Sequence, residues 1–480
     1  MDSLALLKKF FLHTPTRDQT TLMEKLSVFF SGEGSEKIFV IKGYAGTGKT
    51  SMVSAIAKTL SRLDKTTVLL APTGRAAKVL SNYTGRKAFT VHKIIYRMKV
   101  APHGGAYFQL KENMFKDAVF IVDEASMIPG SETNSGFSSS GNLLDDLMQF
   151  VQNGSNCKII FIGDVAQLPP VGLLVSPALD VKYLESHFFN QKIDTITLRE
   201  VVRQGKDSGI LANATTLRNN LENKIKQIAI QLYADVVKVE GKELEDALNE
   251  AYTKYGRDGT MFITRSNKRA YQFNQEVRNR LLGREEEISA GDYLMVVKNN
   301  YHWLPPESEA GFIANGDMIE LLKIRNIDAA HGFRFGDASF RMMDYPDQPT
   351  IEAKVILDTI ASESPSLTFE QSNELYRSVA QEYKHIPLKV ERNKKIKEDP
   401  YYNALQIKFG YAVTCHKAQG GQWPAVLVDQ GYLTDEMINT EYLRWLYTAF
   451  TRASEKLYLV NFSDKFFTPI PTLPPQGEGL

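Results

Sequence analysis

Ile38-Phe-Val-Ile41, followed by Gly43-Tyr-Ala-Gly-Thr-Gly-Lys49-Thr50 and the helical pattern Ser51–Leu63, decides the fold. The eight residues match G-x-x-x-x-G-K-[ST], and a strand before them with a helix after them is the context that confirms this spacing. Gly43, Gly46 and Gly48 let the backbone wrap phosphates, and with Ala45 and Thr47 they point successive N–H groups at them. The start of the helix adds positive partial charge. Lys49 then reaches the β- and γ-phosphates, and the Thr50 hydroxyl binds Mg²⁺, so ATP and Mg²⁺ are the expected cofactors.

Two further strands end in polar residues. Phe120-Ile-Val-Asp123-Glu124 is an apolar strand closed by two carboxylates. A strand-end Asp holds Mg²⁺ in P-loop enzymes, and the adjacent Glu124 can serve as base for the attacking water. Lys158-Ile-Ile-Phe-Ile-Gly-Asp164 runs on to Gln167-Leu-Pro-Pro-Val171. A glutamine there can orient water or sense the γ-phosphate.

Outward from these blocks, short apolar runs alternate with helical patterns. They include Thr67–Leu70, Ile193–Leu198, Met261–Thr264, Tyr293–Val297, Ala425–Val428 and Lys456–Val460. Nearly continuous rather than alternating runs read as buried parallel strands, so the fold class is α/β with parallel sheets. The 480 residues bury ample core without staples, and the two cysteines, Cys157 and Cys415, each in an apolar stretch, fit a reducing, cytoplasmic compartment. The N-terminus does not read as a secretory signal, and no run is long enough to span a membrane. With 57 basic and 56 acidic residues the formal charge is +1. A nucleic-acid site would therefore be a local groove and not a whole-surface field. The two cysteines and eight histidines show no metal-ligand spacing.

Taken together, the ordered blocks over residues 14–453 resemble superfamily 1 helicases of the B type, the RecD-like/Dda-like branch. Thr16-Arg-Asp-Gln19 resembles the Q motif, and Gly43–Thr50 resembles motif I. Ala71-Pro-Thr-Gly-Arg-Ala-Ala77 and Thr90-Val-His92-Lys93 resemble motifs Ia and Ib. Asp123-Glu-Ala-Ser126 and Gly163–Val171 resemble motifs II and III. Leu198–Gln204, Tyr411–Gly420 and Tyr447–Ala453 resemble motifs IV, V and VI.

The resemblance implies two RecA-like P-loop lobes with ATP between them. It implies Gln19 at adenine, Gln419 in the nucleotide cleft, and Arg203 and Arg452 as arginine fingers. It places Pro72, Thr73, Thr90 and His92 on a nucleic-acid track of the first lobe, with Thr414 and His416 on that of the second. The implied activity is ATP-dependent helicase action on single-stranded DNA and single-strand/duplex junctions, 5′→3′, by a monomer with no membrane role. Repair or replication proteins are possible partners. The rivals are a 3′→5′ translocase, an RNA helicase, and a DNA-dependent ATPase without unwinding or within a recombination or repair nuclease complex.

The expected boundaries are 1–190 for the first lobe, with 191–317 and 409–465 for the second. Residues 318–408 are expected to form an inserted SH3-like barrel with a charged helical part (367–397), and 466–480 a tail. Tyr96–Lys111 reads as a hairpin around Gly104-Gly105, where this branch carries a duplex-splitting pin; Tyr107 and Phe108 are wedges or the hairpin's own packing. Pro129–Gly141, rich in Ser and Gly, reads as a surface loop.

Overall fold

The computed structural model describes residues 2–32, 36–100, 106–130, 142–188, 191–202, 208–305, 308 and 310–467, with 98–100 and 106–108 by backbone alone. The chain opens with helices Ser3–Phe10 and Arg17–Ser31, then enters the first sheet through β1 (Glu36–Gly43), β2 (Thr67–Ala71) and β3 (Ala88–Thr90). It leaves for the hairpin β4 (Tyr96–Val100) and β5 (Ala106–Leu110). It returns as β6 (Val119–Val122), β7 (Lys158–Gly163) and β8 (Lys192–Leu198). The spatial order is β3-β2-β6-β7-β1-β8, parallel in every pairing. Inner strands such as β6 and β7 are buried along their whole length because helices cover both faces, which is why their sequences are continuously apolar.

The second lobe starts with β9 (Val236–Val239) and β10 (Thr260–Thr264). A closed five-stranded barrel follows, of β11 (Tyr293–Val296), β12 (Met318–Ala330), β13 (Phe333–Met342), β14 (Ile351–Ile356) and β15 (Leu405–Phe409). The lobe then resumes with β16 (Ala412–Thr414), β17 (Trp423–Asp429) and β18 (Ala453–Val460), giving a parallel sheet in the order β16-β10-β17-β18-β9. The architecture is two RecA-like lobes with a hairpin in the first and a barrel in the second. Among the described residues, no helix is long and apolar enough to cross a membrane.

Two boundaries move. The run at 193–198, expected in the second lobe, is the edge strand of the first sheet: Ile193 pairs with Ile38 and Leu198 with Gly43. The run at 293–297, expected among the parallel strands, pairs antiparallel with β12 and β15 and opens the barrel. A short apolar run has no period that separates a parallel-sheet strand from a barrel stave, so only the pairing decides. The charged stretch becomes helices Phe369–Glu382 and Lys389–Glu398, which bury Leu375, Val379 and Ile396 against Phe333, Phe335 and Ile356 of the barrel. Its remaining faces are solvated. The Ser/Gly-rich loop from 131, the tip of the hairpin and the tail from 468 lie outside the described residues.

Candidate functional site: a nucleotide cleft between the lobes

β1 delivers Gly43 to the edge of the first sheet, and the chain turns into helix Lys49–Arg62. Gly46 and Gly48 hold φ of +75° and +78°, a region costly for any residue with a Cβ. At Gly48 a Cβ would also lie 2.6 Å from the Gln19 side-chain amide. Lys49 Nζ donates to the carbonyls of Gly43 (2.7 Å) and Tyr44 (2.9 Å) and lies 3.9 Å from Asp164. Its charge sits in the centre of the loop, where phosphates would be held.

Asp123 and Glu124 end β6 opposite that loop. Asp123 accepts from the Tyr83 hydroxyl and, at 3.0 Å, from the Glu124 N–H. Glu124 sits at φ +52°, a strained conformation of the kind that persists where the surroundings enforce it. Burial lifts both carboxyls above the usual range. For Asp123, the Tyr83 hydrogen bond, the Glu124 N–H and Lys49 pull the other way. Arg452 is the strongest opposing influence on Glu124, ahead of Lys49, while Asp123 and Asp164 add to the rise. An oxygen set of one hydroxyl, on exposed Thr50, and one carboxylate, on Asp123, is chemically suited to Mg²⁺, whose charge would reverse this rise. Among the described residues no cluster of three or more His, Cys, Asp or Glu could hold a metal ion.

The second lobe closes the cleft through helix Thr440–Phe450, through Arg452 just after it and through Gln419. Tyr447 accepts from the Ala45 N–H (2.8 Å) and donates to Asp164 (2.7 Å). Thr448 accepts from the Leu168 N–H (2.9 Å), and Gln419 donates to the Leu168 carbonyl (2.7 Å). Arg452 is buried, with its guanidinium on the carbonyls of Thr448 and Gly421 and on the Thr451 hydroxyl. Lys49, Glu124, Asp164 and Arg452 therefore share one electrostatic site assembled from both lobes.

Several expected residues have local duties as well. Gln19 forms a capping box with Thr16, and its amide donates to the Thr47 carbonyl (2.9 Å), tying the first helical layer to the phosphate loop. Gln419 holds motif III. The side-chain oxygen of Gln167 is buried without a hydrogen-bond partner among the described residues, an acceptor ready for a water or a hydroxyl. Arg203 lies outside the described residues.

On the track implied by the motif blocks, Thr73 and Thr90 cap helices Gly74–Thr84 and Val91–Ile95. Thr73 also faces motif V, since a Cβ on Gly420 would lie 3.4 Å from its hydroxyl. Pro72 precedes it, half-buried, at the end of β2. Burial lowers His92 to about 4 and also lowers His416, so both rings favour the neutral form. Thr414 closes β16, and His416 lies in the short helix Cys415–Ala418. A cavity of about 210 Å³ separates Lys78, Phe89, Thr90 and Lys93 of the first lobe from Asp344 and Tyr345 of the barrel segment.

Sequence reasoning missed Tyr447, Tyr83 and Arg75. Tyr447 and Arg75 lie inside quoted motif blocks, whereas Tyr83 lies outside them. Arg75 stacks 4.1 Å over Trp423, a second contact between lobes. A polar tip on an otherwise apolar helix, as at Tyr447, was the available signal.

The AAA domain family model matches residues 17–242, and the UvrD-like helicase C-terminal domain model matches 409–460. An uncharacterised protein of Acanthamoeba polyphaga mimivirus is 24% identical over 92% of this chain and 98% of its own length. The ATP-dependent RecD2 DNA helicase of Deinococcus radiodurans is 29% identical, over 42% of this chain and 24% of its own. The ATP-dependent DNA helicase dda of Enterobacteria phage T4 is 26% identical, over 59% of this chain and 62% of its own. A solved Bacteroides Pif1 helicase, in complex with ADP-AlF3 and single-stranded DNA, aligns over 95% of both chains at 15% identity and a TM-score of 0.47. With its motifs arranged around one cleft between two RecA-like lobes, the chain carries an AAA domain joined to a UvrD-like helicase C-terminal domain and is an enzyme that hydrolyses ATP.

Proposed function

We propose that the chain is a DNA helicase that couples ATP hydrolysis, with Mg²⁺, to 5′→3′ movement on single-stranded DNA and to duplex separation, working as a monomer. The observation that carries this reading is the meeting of Tyr447, Thr448, Gln419 and Arg452 of the second lobe with the phosphate loop, motif II and motif III of the first. A change at the phosphate loop must alter contacts that hold the two lobes together, which is what a motor needs.

Bound Mg²⁺ would supply charge neutralisation at the β- and γ-phosphates. Lys49 and the glycine loop hold those phosphates, and Glu124 takes the proton of the attacking water. Gln167 offers its unpaired oxygen to orient that water. Arg452 meets charge developing on the transferred phosphoryl group, a contribution on the order of 10³–10⁵ in rate for arginine fingers. Thr73, Thr90 and His92 on one lobe and Thr414 and His416 on the other would grip the strand without reading bases. The 5′→3′ direction rests on the resemblance of the motif blocks to the B type.

The test is ATP hydrolysis with and without oligo(dT), with Lys49→Ala as blank, followed by unwinding of 5′- and 3′-tailed duplexes. Strong stimulation and unwinding of only the 5′-tailed substrate are expected. Stimulation by RNA alone, or unwinding from the 3′ tail, would overturn the substrate or the direction.

A further inference from the structure

Tyr83 stands on the last turn of helix Gly74–Thr84, outside every motif block. Its hydroxyl donates to one oxygen of Asp123, and the Glu124 N–H donates to the other at 3.0 Å. One donor on each oxygen fixes the plane of the carboxylate. Each oxygen still keeps a lone pair for another partner.

The tyrosine is itself held in place. Its ring packs against the core of the first lobe. Gly85 ends the helix at φ +64°, with its N–H on the Ser81 carbonyl (2.9 Å). The Ser81 hydroxyl accepts the Ala88 N–H (2.9 Å) at the start of β3. Arg86 donates to the Ala57 carbonyl (3.1 Å), which ties this end to the helix that follows the phosphate loop. The hydroxyl therefore reaches Asp123 from a fixed point.

Most side-chain hydrogen bonds in proteins go to backbone or water. This one goes to the carboxylate that, with Thr50, offers oxygens suited to Mg²⁺. A partner that hydrogen-bonds a metal ligand orients it, and such partners contribute about 10- to 100-fold to metal affinity. A phenol is an uncharged donor, so it turns the carboxylate without neutralising it, as a lysine or arginine in its place would.

We propose that Tyr83 is a positioning residue for the metal: its hydroxyl holds the Asp123 carboxylate in the orientation that receives the Mg²⁺ of bound nucleotide. This rests on the reading of Asp123 as the Mg²⁺ ligand.

Binding of a fluorescent, non-hydrolysable ATP analogue is measured in EDTA and across a Mg²⁺ series. The proteins are the full chain, Tyr83→Phe, Asp123→Asn and the double variant. Phenylalanine keeps the ring and removes only the donor. In EDTA, Tyr83→Phe should match the parent. The Mg²⁺ concentration giving half of the metal-dependent tightening should rise about tenfold. Steady-state hydrolysis should show the same shift, with kcat restored at saturating Mg²⁺. Added to Asp123→Asn, Tyr83→Phe should cause no further shift, because both act through one carboxylate.

An unmoved Mg²⁺ midpoint in Tyr83→Phe, with Asp123→Asn raising it, overturns the positioning role alone. Equal weakening in EDTA and in Mg²⁺, or a lowered Tm with an unmoved midpoint, marks a structural tyrosine and also overturns it. A further shift in the double variant shows that the hydroxyl acts elsewhere, with the same consequence. An unmoved midpoint in Asp123→Asn removes the ligand reading itself, and the proposal with it.

Discussion

The hydroxyl of Tyr447 accepts the backbone N–H of Ala45 at 2.8 Å, joining residues 402 positions apart on opposite lobes. The same hydroxyl donates to Asp164, which is 3.9 Å from Lys49. A P-loop N–H is a phosphate donor, so here a second-lobe side chain occupies a place that nucleotide must take. Nucleotide entry then exchanges a contact between lobes for a contact to phosphate. Tyr447→Phe removes the competitor and the coupling together. The KM for ATP should fall by roughly fivefold, consistent with one net hydrogen bond of about 1 kcal/mol. The stimulation of turnover by single-stranded DNA should fall as well. Steady-state kinetics with and without oligo(dT) check both, and a raised KM with full stimulation would contradict the exchange.

Glu124 and Lys49 separate hydrolysis from binding. Glu124→Gln keeps the shape of motif II and removes the base, so turnover should drop by about 10²–10⁴ while a fluorescent ATP analogue still binds. Lys49→Ala should abolish both, because the centre of the loop loses its charge. Unchanged turnover in Glu124→Gln would assign the base elsewhere.

The phosphate loop and motif II were legible because their chemistry is local: a strand, a fixed spacing and a helix start define them without a partner. The cleft was legible only through the order of motif blocks, since Arg452 and Glu124 are brought together by folding and no spacing encodes that. Gln19 shows the limit. Its sequence block announces a nucleotide contact, but its two side-chain ends are spent on the Thr16 N–H and the Thr47 carbonyl. The edge strand at 192–198 and the barrel strand at 293–296 were legible as strands and not as members of a particular sheet, because a four- to seven-residue run carries no record of its neighbours.

Gln19→Ala tests that double duty. Loss of the return hydrogen bond from the Thr16 N–H costs about 1 kcal/mol, and loss of the tie to Thr47 loosens the phosphate loop. The KM values for ATP and GTP should rise together, with Tm lowered by a few degrees. A rise confined to ATP would give Gln19 the adenine-reading role that its motif implies.

Asp317 offers a test of stability against pH. It lies at the entry to β12, where one carboxylate oxygen accepts the Ala314 N–H (2.7 Å) and the other is buried without a hydrogen-bond partner among the described residues. That second oxygen is 2.7 Å from where a Cβ on Gly74 would sit, so the group is wedged between the barrel segment and the first lobe. Burial pushes its carboxyl up to about 8, with Asp344 adding to the rise. A folded-state value above the unfolded one favours the protonated form in the fold. Its stabilising contribution is therefore complete below the unfolded value near 3.8 and is lost as pH rises toward about 8. Asp317→Asn keeps an acceptor for the Ala314 N–H and cannot ionise. The variant should gain several degrees in Tm at pH 8.5 relative to the parent and gain little at pH 5. Melting curves at the two pH values decide it, and an equal shift at both would show that ionisation of Asp317 is not what limits stability at this contact.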